Sequence, residues 1–326
     1  MEPYRAKGLM SSGHANTLLA SSPQRRLLVL RTCRDYYQNA KPLLIDTEIG
    51  ARLLAQVNCL PPSKNPGPVV VLLHGWEGCA DSGYLLSLGH YLHTHGFETV
   101  RLNLRDHGDT QHLNRGLFHS CRLTEIAQAI NRIQHFFNQR PLILIGFSLG
   151  GNFALRVGTK ADENGLNIRQ IISFCPVLDP LHTLEAMESG PPLYRSHFLQ
   201  RWKKSLKRKA LLYPDTYPKK QILKHDNLRE LTTYLVDRYT EYDDLYDYIY
   251  GYAVVGDTLK NLHIPSEMVL NEDDPIIPIK DQSAIATSSS LSIHTNVHGG
   301  HCGFLTARLH TPWTNHFVDW AIEKHA

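Results

Sequence analysis

The 326-residue chain has no apolar run long enough to cross a bilayer. Its longest strongly apolar stretches, such as Val69-Val70-Val71-Leu72-Leu73, are a few residues long, where a span needs about 20. The first residues (MEPYRAKGLMSSGHANTLL) carry basic side chains but no continuous apolar segment before a small-residue cleavage site, so no secretory leader is expected. CxxC pairs are missing too. The six cysteines, at 33, 59, 79, 121, 175 and 302, are scattered, and without a leader they read as reduced thiols of a cytoplasmic protein. Charge of one sign is scarce: Lys+Arg 34 against Asp+Glu 31 leaves +3, too little to argue for a nucleic-acid partner. No internal repeat appears, which excludes solenoids and propellers. With 42% hydrophobic and 20% charged residues the composition is that of a globular protein, long enough for two domains or one large α/β core.

What the chain does have is alternation. Residues 68–73 (PVVVLL), 97–103, 141–147 (PLILIGF), 167–174, 264–271 and 291–297 read as strands, and residues 83–95 as a helix. Leu123, Ile126, Ala127, Ile130, Ile133 and Phe137 recur at the spacing of a helix with one apolar face. Strands that are apolar throughout are buried on both faces, which predicts a mainly parallel sheet with helices on both sides. Residues 43–46 and 51–57 fit an antiparallel edge hairpin, giving eight strands in all. A final helix is expected to open at Pro312, where a missing N–H breaks no helical bond. The rhythm stops at residues 179–258, which are polar, basic and rich in tyrosine. The chain therefore divides into an N-terminal extension with the edge hairpin (1–60), an α/β core (61–178 and 259–326), and a cap (179–258) inserted between the sixth and seventh strands.

Gly146-Phe147-Ser148-Leu149-Gly150 is a G-x-S-x-G pentapeptide, weak alone but placed where an apolar strand ends and a helix begins. A nucleophile elbow needs that context. Its sharp turn holds the serine in a strained conformation, and the flanking glycines lack the Cβ atoms that would clash. The helix N-terminus behind it adds free N–H groups and a positive dipole end. Ser148 is thus the expected nucleophile, and Cys302 is not. The oxyanion donors are expected to be the backbone N–H groups of Leu149 and of Trp76, in the loop His74-Gly75-Trp76-Glu77-Gly78. A serine also needs a histidine base oriented by a carboxylate, in chain order Ser…Asp…His. The loops after the seventh and eighth strands offer them, in NEDDPIIP from Asn271 and VHGGHCGF from Val297. Asp274, held by Pro275, is preferred to Asp273 and Glu272; His301, set among glycines, is preferred to His298.

Together these residues resemble the α/β-hydrolase fold superfamily, and more narrowly its YheT-like branch (AB hydrolase family 4), predicted esterases and lipases with relatives among mammalian membrane-anchored phospholipases. The motifs that carry the resemblance are HGWEGCADSGY from His74, RLNLRDHGDT from Arg101, GFSLGGN from Gly146, NEDDPIIP from Asn271 and GGHCGF from Gly299. They appear in order from about residue 68 to the C-terminus. The resemblance implies an α/β-hydrolase fold and a triad on Ser148, Asp274 and His301. Two departures stand out: family members more often carry leucine where Trp76 stands, and a Gly-Cys or Gly-His pair where Asp106-His107 follow Arg105. Residues 179–258 match poorly, so no substrate is carried over.

Residues 195–209 (RSHFLQRWKKSLKRK) are the most basic stretch, with Phe198, Leu199, Trp202 and Leu206 on one side of a helix. They fit a solvated cap helix or a peripheral contact with anionic lipid head groups. The tyrosines of residues 234–252 fit cap packing better than a substrate tunnel. His90, His93 and His95 lack the i, i+4 spacing of helical metal ligands and read as surface residues, so no metal site is expected. The function read from the sequence is a serine hydrolase of small-molecule carboxylic esters or lipids, without metal or organic cofactor. Thioester hydrolysis or acyl transfer by the same triad, and a non-catalytic binding scaffold, are the alternatives.

Overall fold

The computed structural model describes residues 1–62, 67–306 and 313–325; the expected helix start at Pro312 lies outside them. Three helices, α1 (Gly13–Ala20), α2 (Pro23–Thr32) and α3 (Arg34–Gln38), precede a hairpin of β1 (Lys41–Asp46) and β2 (Arg52–Asn58). Alternation follows as β3 (Val69–Leu73), α4 (Gly83–Thr94), β4 (Glu98–Leu102), α5 (Leu123–Phe136), β5 (Leu142–Phe147), α6 (Leu149–Gly158) and β6 (Ile168–Phe174). Next come α7 (Pro180–Ser189), α8 (Pro192–Leu212), α9 (Lys219–Leu223), α10 (Leu228–Tyr239) and α11 (Leu245–Tyr250). The chain returns to the sheet with β7 (Ser266–Asn271), β8 (Leu291–Asn296) and α12 (Trp313–Lys324).

One sheet forms, in the order β1-β2-β4-β3-β5-β6-β7-β8. The β1–β2 and β2–β4 pairs are antiparallel and the rest parallel. β3 and β5 are buried at every residue, which is why they read as unbroken apolar runs. Their side chains alternate between faces. Val69, Val71 and Leu73 share a buried cluster with Ile126, Ile130 and Phe153 of α5 and α6, while Val70 and Leu72 share another with Leu85 and Leu88 of α4 and Phe317 of α12. This is the α/β-hydrolase fold, with a helical insertion between β6 and β7. Leu199, Leu206, Leu231, Leu235 and Ile249 of the insertion join the same buried cluster as β3 and α6. No helix among the described residues is long and apolar enough to cross a membrane.

In helix α8 the charges of residues 195–209 do not share one surface. Lys209 is 1% exposed, because it falls one turn after Leu206 on the buried side of the helix. Its Nζ donates to Asp106 Oδ1 at 2.7 Å and to the carbonyls of Gln111, Asn114 and Gly116 at 3.2, 2.6 and 3.1 Å. Arg195, Lys203 and Arg208 pair with Glu188, Asp226 and Asp109. Lys204 and Lys207 stay exposed. Arg208 and Lys209 therefore clasp the insertion onto the core, while Arg195 and Lys203 are paired within the insertion itself.

The parallel strands end on one edge of the sheet, where loops from several strands converge, and ligands of open α/β sheets bind at that edge.

Candidate active site

Ser148 stands at the tip of β5 with φ 53° and ψ −120°, a region that side chains occupy only under strain. Its N–H donates to the Phe174 carbonyl at 2.8 Å, and its own carbonyl accepts from Asn152 N–H at 3.0 Å as the first bond of α6. A Cβ on Gly146 would lie 2.5 Å from Gly151 N, and one on Gly150 would lie 2.6 Å from the His74 carbonyl oxygen. Both glycines of the pentapeptide are thus sterically required.

Loop 74–78 leaves β3 directly opposite. A Cβ on Gly75 would come 3.2 Å from Ser148 Cβ, so the backbone approaches the serine closely. Gly75 N–H donates to the Tyr84 hydroxyl at 3.0 Å. Two buried histidines fix the loop's shape. His74 accepts Leu104 N–H on Nε2 at 3.1 Å and donates from Nδ1 to the Gly75 carbonyl at 2.8 Å. His107 accepts Glu77 N–H on Nε2 at 3.1 Å and donates from Nδ1 to the Arg105 carbonyl at 2.6 Å. These bonds define neutral Nδ1–H tautomers. Burial reinforces neutrality, pushing His107 down to about 4 and His74 well below its ordinary value. Burial also pushes the Glu77 carboxyl up to about 7. Among the described residues, no acceptor takes the N–H of Trp76 or of Leu149.

The loops after β7 and β8 bring a carboxylate to an imidazole. His301 Nδ1 lies 2.8 Å from Asp274 Oδ2, and Asp274 Oδ1 accepts the N–H groups of Ile276 and Ile277 at 2.8 and 3.0 Å. Burial alone would lower the His301 pKa, but the Asp274 carboxylate and the adjoining Cys302 outweigh it and hold the imidazole well above its ordinary value. Asp273 does not touch His301; it accepts Gly300 N–H at 2.8 Å and lies 3.3 Å from His298 Nδ1. Glu272 is exposed.

Helix α1 supplies a brace that gave no signal in the sequence. Thr17 Oγ1 accepts His301 N–H at 2.8 Å, Asn16 Oδ1 accepts Leu305 N–H at 3.1 Å, and Gly13 packs without space for a Cβ against Asp273. Tyr84 and His107 are further residues whose support of loop 74–78 no motif announced.

Ser148 and His301 line one cleft together with Trp76, Tyr194, Ile276 and Cys302. Ser148 Oγ is not hydrogen-bonded among the described residues; serine–base bonds commonly tighten only when substrate is present. A second cavity lies under the insertion, walled by Leu117, Phe118, Leu149, Leu184, Trp202 and Leu235. Trp76 and Glu77 border both spaces. The Trp76 ring stacks on Phe198 at 5.5 Å and meets Trp202 edge-on at 5.0 Å.

The sequence model of the alpha/beta hydrolase family matches residues 70–309. The chain is 27% identical over 279 residues to YheT of Escherichia coli (strain K12), an esterase by name, covering 79% of each chain. It is 23% identical over 222 residues to monoacylglycerol lipase ABHD2 of Homo sapiens, covering 62% of this chain and 51% of that one, and so spans about half that relative's length. Two solved structures share the fold: a bacterial membrane phospholipase A (TM-score 0.57, 14% identity, 93% and 92% of the two chains) and the Pyrococcus furiosus esterase Pf2001 (TM-score 0.55, 11% identity, 89% and 92%).

Proposed function

The chain belongs to the alpha/beta hydrolase family and stands with its YheT-like branch, and from that premise we propose that it hydrolyses carboxylic esters through Ser148, His301 and Asp274. The observation that carries this is the pairing of a strained elbow serine with an Asp274–His301 couple at 2.8 Å across one cleft. Ser148 Oγ attacks the ester carbonyl and His301 Nε2 accepts its proton. Asp274 holds the Nδ1–H tautomer and stabilises the imidazolium. The N–H groups of Trp76 and Leu149 receive the oxyanion. The imidazolium then protonates the leaving alcohol, and water, deprotonated by the same imidazole, releases the acid and frees Ser148. Residues 179–258 act as a cap whose apolar cavity takes the acyl chain past Trp76. The names of YheT and ABHD2 support an ester or lipid substrate.

The test is labelling with a fluorophosphonate, mapping of the modified residue by mass spectrometry, and an ester chain-length series. Label on Ser148, absent in Ser148→Ala, together with ester turnover is expected. A folded protein that takes no label and turns over no ester refutes the proposal.

A further inference from the structure

Two thiols stand against His301 that ester chemistry does not use. Cys175 follows β6 and Cys302 follows His301, and both hold positive φ, 44° and 55°. Glycine takes that backbone freely, whereas a side chain takes it only under strain, so the sulfurs are held in place against a local preference. The two sulfurs and a ring nitrogen of His301 lie within 4.8 Å of one another. His301 and Cys302 border the cleft, with Cys175 buried behind them, so an ion entering from the cleft meets His301 and Cys302 first.

The surroundings suit a bound cation. Asp274 occupies His301 Nδ1 and leaves Nε2 as the nitrogen an ion can take once the Cys302 thiol gives up its bond to the ring, the carboxylate–histidine arrangement that orients metal-binding imidazoles. Asn271 Nδ2 donates to Cys175 Sγ at 3.4 Å, which fixes the sulfur's position behind His301. Two sulfurs and an imidazole are a soft donor set, which selects Zn2+ and similar ions over Mg2+ and Ca2+.

We propose that Cys175, Cys302 and His301 form a site for a soft divalent cation of the zinc class, with the fourth position open to water from the cleft. Binding displaces to solvent the protons held by the two sulfurs and by His301 Nε2. The ion takes the imidazole nitrogen that would accept the Ser148 proton, so occupancy blocks hydrolysis; that consequence, unlike the binding itself, rests on the proposed ester chemistry.

The test is titration of reduced, chelator-treated protein with Co2+, followed by thiolate-to-cobalt charge-transfer absorption, with Zn2+ added afterwards. A one-to-one band is expected in the wild type and in Ser148→Ala, bleached by Zn2+ and untouched by Mg2+. Cys302→Ser and Cys175→Ser should each weaken binding at least about 10-fold, and Asp274→Asn about 10- to 100-fold through loss of imidazole orientation. Zn2+ should inhibit wild-type turnover reversibly on chelation, and Cys302→Ser far less. No charge-transfer band, or a full band in both cysteine variants, overturns the site. A Zn2+-displaceable band without inhibition of an active enzyme overturns the inhibitory role. Cobalt binding in a protein that neither hydrolyses esters nor takes a phosphonate refutes the ester chemistry and supports the site.

Discussion

An alanine at position 13 would drive its Cβ inside contact distance of the Asp273 carbonyl oxygen and to 2.8 Å from Asp273 Cγ. Relief requires α1 and the loop after β7 to separate by about 1 Å, and a misplacement of that size at a catalytic constellation costs about 10²-fold in rate. Either direction of yielding reaches the site. If the loop moves, Asp274, the next residue, is displaced from His301 Nδ1. If α1 moves, Thr17 Oγ1 withdraws from His301 N–H, now 2.8 Å away, and leaves a part-buried donor unpaired at about 1–3 kcal/mol. The assay is kcat/KM on a short-chain ester, with the thermal midpoint measured alongside. Gly67→Ala is the control, since a Cβ there meets nothing within 4 Å among the described residues. Gly13→Ala should lose about 10²-fold in kcat/KM, mostly in kcat, while Gly67→Ala keeps wild-type rates. Wild-type kcat/KM and thermal midpoint in Gly13→Ala would refute the coupling of α1 to the Asp274–His301 pair.

Asp274→Asn should lower kcat on the order of 10⁴ with little change in the urea midpoint, because the amide stabilises the wrong imidazole tautomer; a loss under 10-fold would remove Asp274 from its role. Lys209→Met leaves Asp106 buried and unpaired and should cost about 3–5 kcal/mol in urea unfolding, with part restored by adding Asp106→Asn; a double variant no better than the single one counts against the clasp. His107, held down to about 4 when folded, takes up its proton in the unfolded chain first. Stability present above pH 6.5 should therefore fall as pH drops from 6.5 towards 4, by about 3 kcal/mol from this group, and His107→Gln should flatten that slope in urea titrations. Trp76→Leu keeps the backbone donor but removes the ring between cleft and cavity, so the ratio of long- to short-chain kcat/KM should rise; an unchanged ratio would show that the ring does not gate the acyl path.

The sheet was legible because a strand buried on both faces must be apolar at every position, as in β3 and β5. The elbow was legible because its two glycines answer to backbone contacts that any Cβ would violate. Helix α1 was not, since Asn16 and Thr17 are buried through hydrogen bonds and no apolar periodicity marks such residues. The burial of Lys209 was hidden for a related reason. Periodicity places lysine on the solvent side by default, and the partner that makes burial tolerable, Asp106, lies 103 positions away. Which acid meets which histidine is likewise decided by loops: adjacent Asp273 and Asp274 are divided between bracing the turn and touching His301.

The same long-range polar contacts bear on how the cleft keeps its shape. Helix α8 is tied near both ends, by Tyr194 OH to His14 Nδ1 at 2.8 Å and by Lys209 to Asp106. Between those ties, Phe198 and Trp202 pack on Trp76, the residue whose N–H is proposed to hold the oxyanion. Asp106 in turn precedes His107, which accepts Glu77 N–H one residue beyond Trp76. A displacement of α8 is therefore felt at loop 74–78 from two sides, through the aromatic wall and through the Asp106–His107 turn. The residues that depart from the family's usual pattern, Trp76 and Asp106-His107, are the ones that make this connection. In this chain the insertion and loop 74–78 are joined through Trp76 and Asp106-His107, so on the proposed ester chemistry a change in α8 alters the acyl path and the Trp76 N–H together.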